Sequence, residues 1–238
     1  MPRHIFFLRR EMKLTGKRLW TSLLADFLLL LLLSSYPSTG AAQAPGTFIP
    51  TGNMSTPREG HTATFLLSGQ VLITGGVDPT RRGSPAVATA ELFDPDTGMF
   101  VPTGDLTTRR ASYSATLLPD GRVLIAGGGA LDTSELYDPN TGTFTPTGNM
   151  VAPQMWHAAT LLDNGRVLIA GTKPQLFDPA TGTFTATGAY APTPPNPFGE
   201  FGILGPTTLL SNGKVLIAGE PSTELYDPVT GTFSLAEG

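Results

Sequence analysis

An all-β fold of four repeated, four-stranded sheets is predicted by two observations: one short motif returns four times, and each unit holds two Gly-centred turn signals between apolar runs. The motif ends in a phenylalanine after a Gly turn: Phe100 in DPDTGMF, Phe144 in DPNTGTF, Phe184 in DPATGTF and Phe233 in DPVTGTF. Subtraction gives intervals of 44, 40 and 49 residues, which suit several short strands per unit and therefore propeller blades rather than a helical solenoid. The units span approximately 55–103, 104–147, 148–187 and 188–238. Ahead of them, Gly46 to Gly52 (GTFIPTG) matches only the last strand of a unit, so a leading N-terminal strand is expected there.

Within a unit, strand A covers His61 to Leu67, Ser112 to Leu118, His157 to Leu162 or the shorter Pro206 to Leu210. It turns into strand B through Ser68-Gly69, Asp120-Gly121, Asn164-Gly165 or Asn212-Gly213, pairs that favour the positive φ angles of a tight hairpin. Strand B is Val-Leu-Ile at 71–73, 123–125, 167–169 and 215–217, a continuous apolar run that fits burial on both faces. Strand C (90–93, 134–137, 175–177 and 223–226) runs into Asp-Pro-x-Thr-Gly, where the Asp side chain can accept from the turn backbone and Gly takes the left-handed position. Strand D carries the phenylalanine and usually ends in Pro-Thr-Gly or Ala-Thr-Gly. Proline lacks an N–H, so D is the outer edge of each sheet.

Composition narrows the classes of function. Apolar residues make up 40% and charged residues 14%, a balance that supports a packed chain despite 28 glycines and 22 prolines. The absence of cysteine excludes disulfides, thiol nucleophiles and Cys-ligated zinc or iron–sulfur sites. The first 44 residues carry six basic side chains against Glu11 and Asp26, a net +4, so the overall charge of −4 leaves −8 on the rest. An acidic domain of that kind is a poor partner for nucleic acid, which needs a basic surface.

Those first 44 residues read as a signal peptide: a basic stretch to residue 22, an apolar run from Leu23 to Leu33, then small and polar residues to Ala44. Cleavage is expected after Ala44, or after Ala42, which places residues 45–238 in a secreted or periplasmic domain. Met12 followed by Lys13 offers a second start. An uncleaved membrane anchor is the competing reading, although an apolar run of about 11 residues is short of the roughly 20 that a spanning helix needs.

The residues of the repeat resemble the Kelch repeat of β-propeller proteins, whose pattern is an apolar strand ending in Gly-Gly, then a Tyr, then a Trp. Gly75-Gly76 and Gly127-Gly128 match the double glycine, and Tyr137 and Tyr226 match the tyrosine with Phe93 and Phe177 in its place. Phe100, Phe144, Phe184 and Phe233 stand where the tryptophan would be. LLPDGRVLIAGG and ELYDPxTGTF are similar to the Kelch repeats of secreted bacterial proteins and of the galactose-oxidase central domain. Units three and four depart from the pattern, keeping only Gly171 and Gly219, so those blades are expected to turn differently after strand B. The resemblance implies a ring of about five to seven blades. Four units and a strand leave three outcomes: a small closed ring, an open arc that self-associates through its edges, or part of a longer product.

No catalytic constellation is found. Galactose oxidase, as a family, holds copper with tyrosine and histidine and carries a Tyr-Cys crosslink, whereas this chain has no Cys and only His61 and His157 beyond the leader. A sialidase would need an arginine cluster and Asp-box turns, and Asp-Pro-x-Thr-Gly at Asp94, Asp138, Asp178 and Asp227 reads as a structural turn. Gly127-Gly128-Gly129 is followed by no helix and is no phosphate loop. Candidate ligand residues lie instead where the repeats differ, just before strand A: Arg58 and His61, then Arg109, Arg110 and Tyr113, then Met155, Trp156 and His157. The inserts Asp78 to Ala88 and Tyr190 to Gly205 are further loops that could reach a partner. The expected function is non-catalytic binding of a protein or carbohydrate through these loops, with no cofactor or metal. A galactose-oxidase-like or glycan-acting enzyme remnant and a truncated propeller are the alternatives.

Overall fold

The computed structural model of the protein describes residues 48–191, 205–219 and 222–236. The leader and most of the Tyr190 to Gly205 insert lie outside them. The described residues from Thr51 onward belong to one compact unit that contains strands and no helix.

Sixteen strands form four antiparallel four-stranded sheets, each a simple meander. Blade 1 comprises β1 (Thr62–Phe65), β2 (Val71–Thr74), β3 (Ala90–Asp94) and β4 (Met99–Pro102). Blade 2 comprises β5 (Ser114–Leu117), β6 (Val123–Ala126), β7 (Ser134–Asp138) and β8 (Thr143–Pro146). Blade 3 comprises β9 (Ala158–Leu161), β10 (Val167–Ala170), β11 (Gln175–Asp178) and β12 (Thr183–Ala186). Blade 4 comprises β13 (Thr207–Leu209), β14 (Val215–Ala218), β15 (Thr223–Asp227) and β16 (Thr232–Leu235). The first strands β1, β5, β9 and β13 stand side by side in that order, so they form the inner edge, and the Pro-containing β4 and β8 are outer strands, as the missing N–H requires. This is a β-propeller-like fold, and its sheets do not close into a ring.

Register explains the repeated aromatics. Tyr137 lies directly opposite Phe144 across β7 and β8, with ring centroids 4.7 Å apart, and the other blades repeat the pair as Phe93–Phe100, Phe177–Phe184 and Tyr226–Phe233. Such cross-strand aromatic pairs stabilise a sheet by up to ~1 kcal/mol each. The Asp-Pro-x-Thr-Gly turns are built alike: Asp138 Oδ1 accepts the Asn140 N–H at 2.9 Å, and the Gly142 N–H returns to the Asp138 carbonyl at 2.8 Å. The A–B hairpins differ from expectation in one respect. Only the glycine has positive φ (Gly121 at 86°, Gly165 at 81°), while the Asp or Asn before it does not. Its side chain instead accepts from the backbone two residues on, as Asn164 does from Arg166 at 3.1 Å, which makes a turn with a glycine bulge rather than a two-residue loop.

Cores lie between blades. Leu66 and Leu72 of blade 1 pack with Val123, Ile125 and Tyr137 of blade 2. Leu118 and Leu124 meet Val167, Ile169 and Phe177 of blade 3, and Leu162 and Leu168 meet Val215, Ile217 and Tyr226 of blade 4. Each interface is also clasped at its outer rim. The glycine after a D strand donates to the turn glycine of the next blade: Gly104 to Gly142, Gly148 to Gly182 and Gly188 to Gly231, each at 2.9 Å.

The leading strand expected at 47–52 is not formed by the described residues 48–52. A D strand pairs with the C strand of its own sheet, and each C strand among the described residues is already paired with its own D strand. Its end keeps its role nonetheless, since the Gly52 N–H donates to the Gly98 carbonyl of blade 1 at 2.7 Å.

Candidate functional site

Strand A begins at the end of the arc away from the hairpins, so the segments 58–61, 110–113 and 154–157 are brought to one mouth, beside the turns that follow strand B. The structure divides the residues singled out there into two groups. Arg58 and Arg110 are fixtures of the fold. The Arg110 guanidinium, fully buried, donates to the Gly127 carbonyl (2.8 Å), the Thr133 carbonyl (2.9 Å) and Glu135 Oε1 (2.6 Å). Arg58 does the same in blade 1 toward Gly75 (3.0 Å), Thr89 (2.8 Å) and Glu91 (2.9 Å). Burial raises the Glu91 carboxyl, but the Ser55 N–H and Arg58 outweigh it and hold the carboxyl below its usual range. These arginines tie each blade's entry segment to its second and third strands.

Blade 3 replaces both partners together. Gln154 takes the arginine's position and Gln175 the glutamate's, with Gln154 Nε2 donating to the Lys173 carbonyl at 2.8 Å and Gln175 Oε1 accepting the Val151 N–H at 2.7 Å. The Gln154 side chain also fills the space beside Gly171, whose φ is not positive, so blade 3 does turn differently after strand B. The Gly171 carbonyl is instead taken by the Tyr190 hydroxyl of the next entry segment at 2.9 Å. Sequence reasoning missed Glu91, Glu135, Gln154 and Gln175. Aligning the units on strands A and C would have found them, because the Arg and Glu of units one and two both become Gln in unit three.

Tyr113 and His157 occupy one repeat position and both reach back to the previous blade. The Tyr113 hydroxyl bonds Thr74 Oγ1 at 2.7 Å and accepts from Thr62 at 3.1 Å, and burial pushes its pKa up. His157 Nε2 pairs with Ser114 Oγ at 2.9 Å, while its Nδ1 is buried without a partner. His61 holds the same position in blade 1, the first of the described blades, and its Nδ1 is likewise buried and unpaired.

Burial drives the His157 pKa down from 6.5 to about 4, partly offset by the Ala126 backbone. A depressed histidine binds its proton more readily unfolded, so its contribution is lost as pH falls from about 6.5 towards 4. Between those limits it amounts to roughly 3 kcal/mol. The difference in unfolding free energy between wild type and His157→Asn, followed by denaturant titration across that range, is expected to shrink on acidification. A pH-independent difference would contradict this.

The second group faces solvent. Arg109 is exposed, unlike its neighbour Arg110, and Met155 is 37% and Trp156 57% exposed. Trp156 has a left-handed backbone, φ 51°, and its N–H donates to the Ser112 carbonyl at 3.1 Å. The equivalent residues in blades 1 and 2 are Gly60 at φ 60° and Ser112 at φ 58°, so the conformation belongs to the repeat, and among the described residues only blade 3 places a large side chain on it. The hairpin end offers shallow hollows instead. Charges there are already paired, Arg166 with Asp178 at 3.0 Å and Lys214 with Asp227 at 3.3 Å.

The Asp78 to Ala88 insert folds onto itself. Asp78 Oδ1 accepts the Thr80 N–H at 2.9 Å, and the Asp78 N–H donates to the Pro85 carbonyl at 3.0 Å.

No family model matches the chain, and no curated protein matches it. Among solved structures it is similar to a novel fungal alcohol oxidase with catalytic diversity among the AA5 family, in complex with copper. The TM-score is 0.59 and the identity 18%; the match covers 76% of this chain and 41% of that one. The chain thus spans less than half the length of that enzyme. The described residues do not fit copper. His61 and His157 stand in separate blades, His157 is engaged with Ser114, and among the described residues no three His, Cys, Asp or Glu side chains converge. What the likeness shows is the fold alone, a β-propeller-like arrangement of four-stranded antiparallel sheets.

Proposed function

We propose that this is an exported, non-catalytic binding protein of the Kelch-repeat type, which recognises a protein or carbohydrate through the mouth that carries Arg109, Met155 and Trp156. The observation that supports this most is Trp156. A bulky residue in the left-handed region costs about 1–2 kcal/mol, and blade 1 avoids that cost with glycine. Strain retained at a solvent-facing aromatic is the pattern of a functional residue, and Trp and Arg dominate binding hot spots. Export rests on the basic, apolar and small-residue order of the leader. The likeness to an alcohol oxidase favours an enzyme as the second reading, and the lack of converging ligands among the described residues weighs against it.

The test is a glycan and protein binding screen with the exported protein, followed by Trp156→Gly. That substitution is expected to weaken the selected ligand at least tenfold while raising stability by roughly 1 kcal/mol, since it removes the side chain and the strain together. Unchanged affinity would move the site elsewhere.

A further inference from the structure

Every internal interface of the arc is made from the same two faces. The side of a blade that meets the next one presents leucines, Leu66 and Leu72 in blade 1 and their equivalents in blades 2 and 3, all at most 2% exposed. The opposite side presents a strand-A Leu, the Val and Ile of strand B and the strand-C aromatic. Val123, Ile125 and Tyr137 are completely buried there, and so are Val215, Ile217 and Tyr226.

At the two ends of the arc these faces are present and only partly covered by the described residues; Ile73 of blade 1 is sealed, while the residues around it are not. In blade 1, Phe65 is 65% exposed where Leu117 and Leu161 pack against a neighbour, and Val71 and Phe93 are only half-buried. In blade 4, Leu210 and Leu216 are half-buried where their six counterparts are sealed. Each end is thus one half of an interface the chain builds three times within itself.

We propose that the occupant of these faces is a second copy of this chain, with blade 4 of one copy seated on blade 1 of the other. This goes beyond the binding reading above and does not depend on it. Blade 1 already holds its Gly98 carbonyl with the Gly52 N–H, so that clasp is taken within the chain and a head-to-tail seat rests on the apolar faces alone. A heterologous contact of this kind closes if the rotation permits, two copies then sharing one ring, and otherwise propagates.

The chain has no cysteine, so introduced thiols report alone. Full-length Phe65→Cys protein mixed with Leu210→Cys protein is expected, on mild oxidation, to yield mainly a disulfide-linked pair of the two different copies, with little linkage of either to itself. Phe65→Asp, at an exposed position, is expected to leave the thermal melt of the fold unchanged and to weaken assembly about tenfold or more. Three outcomes would overturn the proposal: linkage only within one chain when both cysteines are placed together, no cross-link at all, or assembly that is indifferent to Phe65→Asp.

Discussion

Arg110→Ala is expected to destabilise the fold by roughly 3–5 kcal/mol, the range for removing one partner of a buried ion pair. Glu135, 1% exposed, would keep the Thr107 and Thr108 N–H groups at 2.6 and 3.3 Å but lose its cation. The Gly127 and Thr133 carbonyls would lose their donor as well. Blade 3 supplies the control, because Gln154 and Gln175 satisfy the same region without charge. The double change Arg110→Gln with Glu135→Gln should therefore recover more than half of the loss. Denaturant unfolding of the single and double variants measures this. An Arg110→Ala cost under about 1 kcal/mol would show that the arginine is dispensable to the fold.

Gly148→Ala is expected to cost more than about 3 kcal/mol, for steric rather than conformational reasons. Its φ is not positive, yet an added Cβ would fall well inside van der Waals contact with the Gly182 carbonyl oxygen. The bond from the Gly148 N–H to that carbonyl, 2.9 Å, would stretch, and the Ser134 hydroxyl that donates to the Gly148 carbonyl at 2.5 Å would be displaced. Gly60→Ala is the contrasting case. It has open space around its missing Cβ and a φ of 60°, so only backbone strain of about 1–2 kcal/mol applies. Thermal melts of the two variants should separate accordingly. Equal effects would mean that the clasp between blades contributes little.

The fold was legible because its information is local and repeated. Val-Leu-Ile runs, Gly-centred hairpins and Asp-Pro-x-Thr-Gly turns mark strand and turn within each unit, and Phe100, Phe144, Phe184 and Phe233 all lie on strand D where that reading put them; their register opposite the strand-C aromatic came from the structure. The mouth was legible only as a set. Arg109 and Arg110 are adjacent in sequence, and which one is buried depends on a glutamate 25 residues beyond Arg110, in strand C. Trp156 stood out by composition, while the strain that distinguishes it became visible only through the backbone angles shared with Gly60 and Ser112. The strand expected at 47–52 failed for the complementary reason: its local sequence is right, but a strand needs a neighbour.

On the proposal above, the four blades form an arc whose two ends are complementary and filled by another copy. Light scattering combined with small-angle X-ray scattering of the full chain tests it most directly. The expected result is a mass of two chains or a higher multiple, with a shape larger than one four-bladed unit. A compact single-chain mass with the scattering of a small closed ring would contradict it.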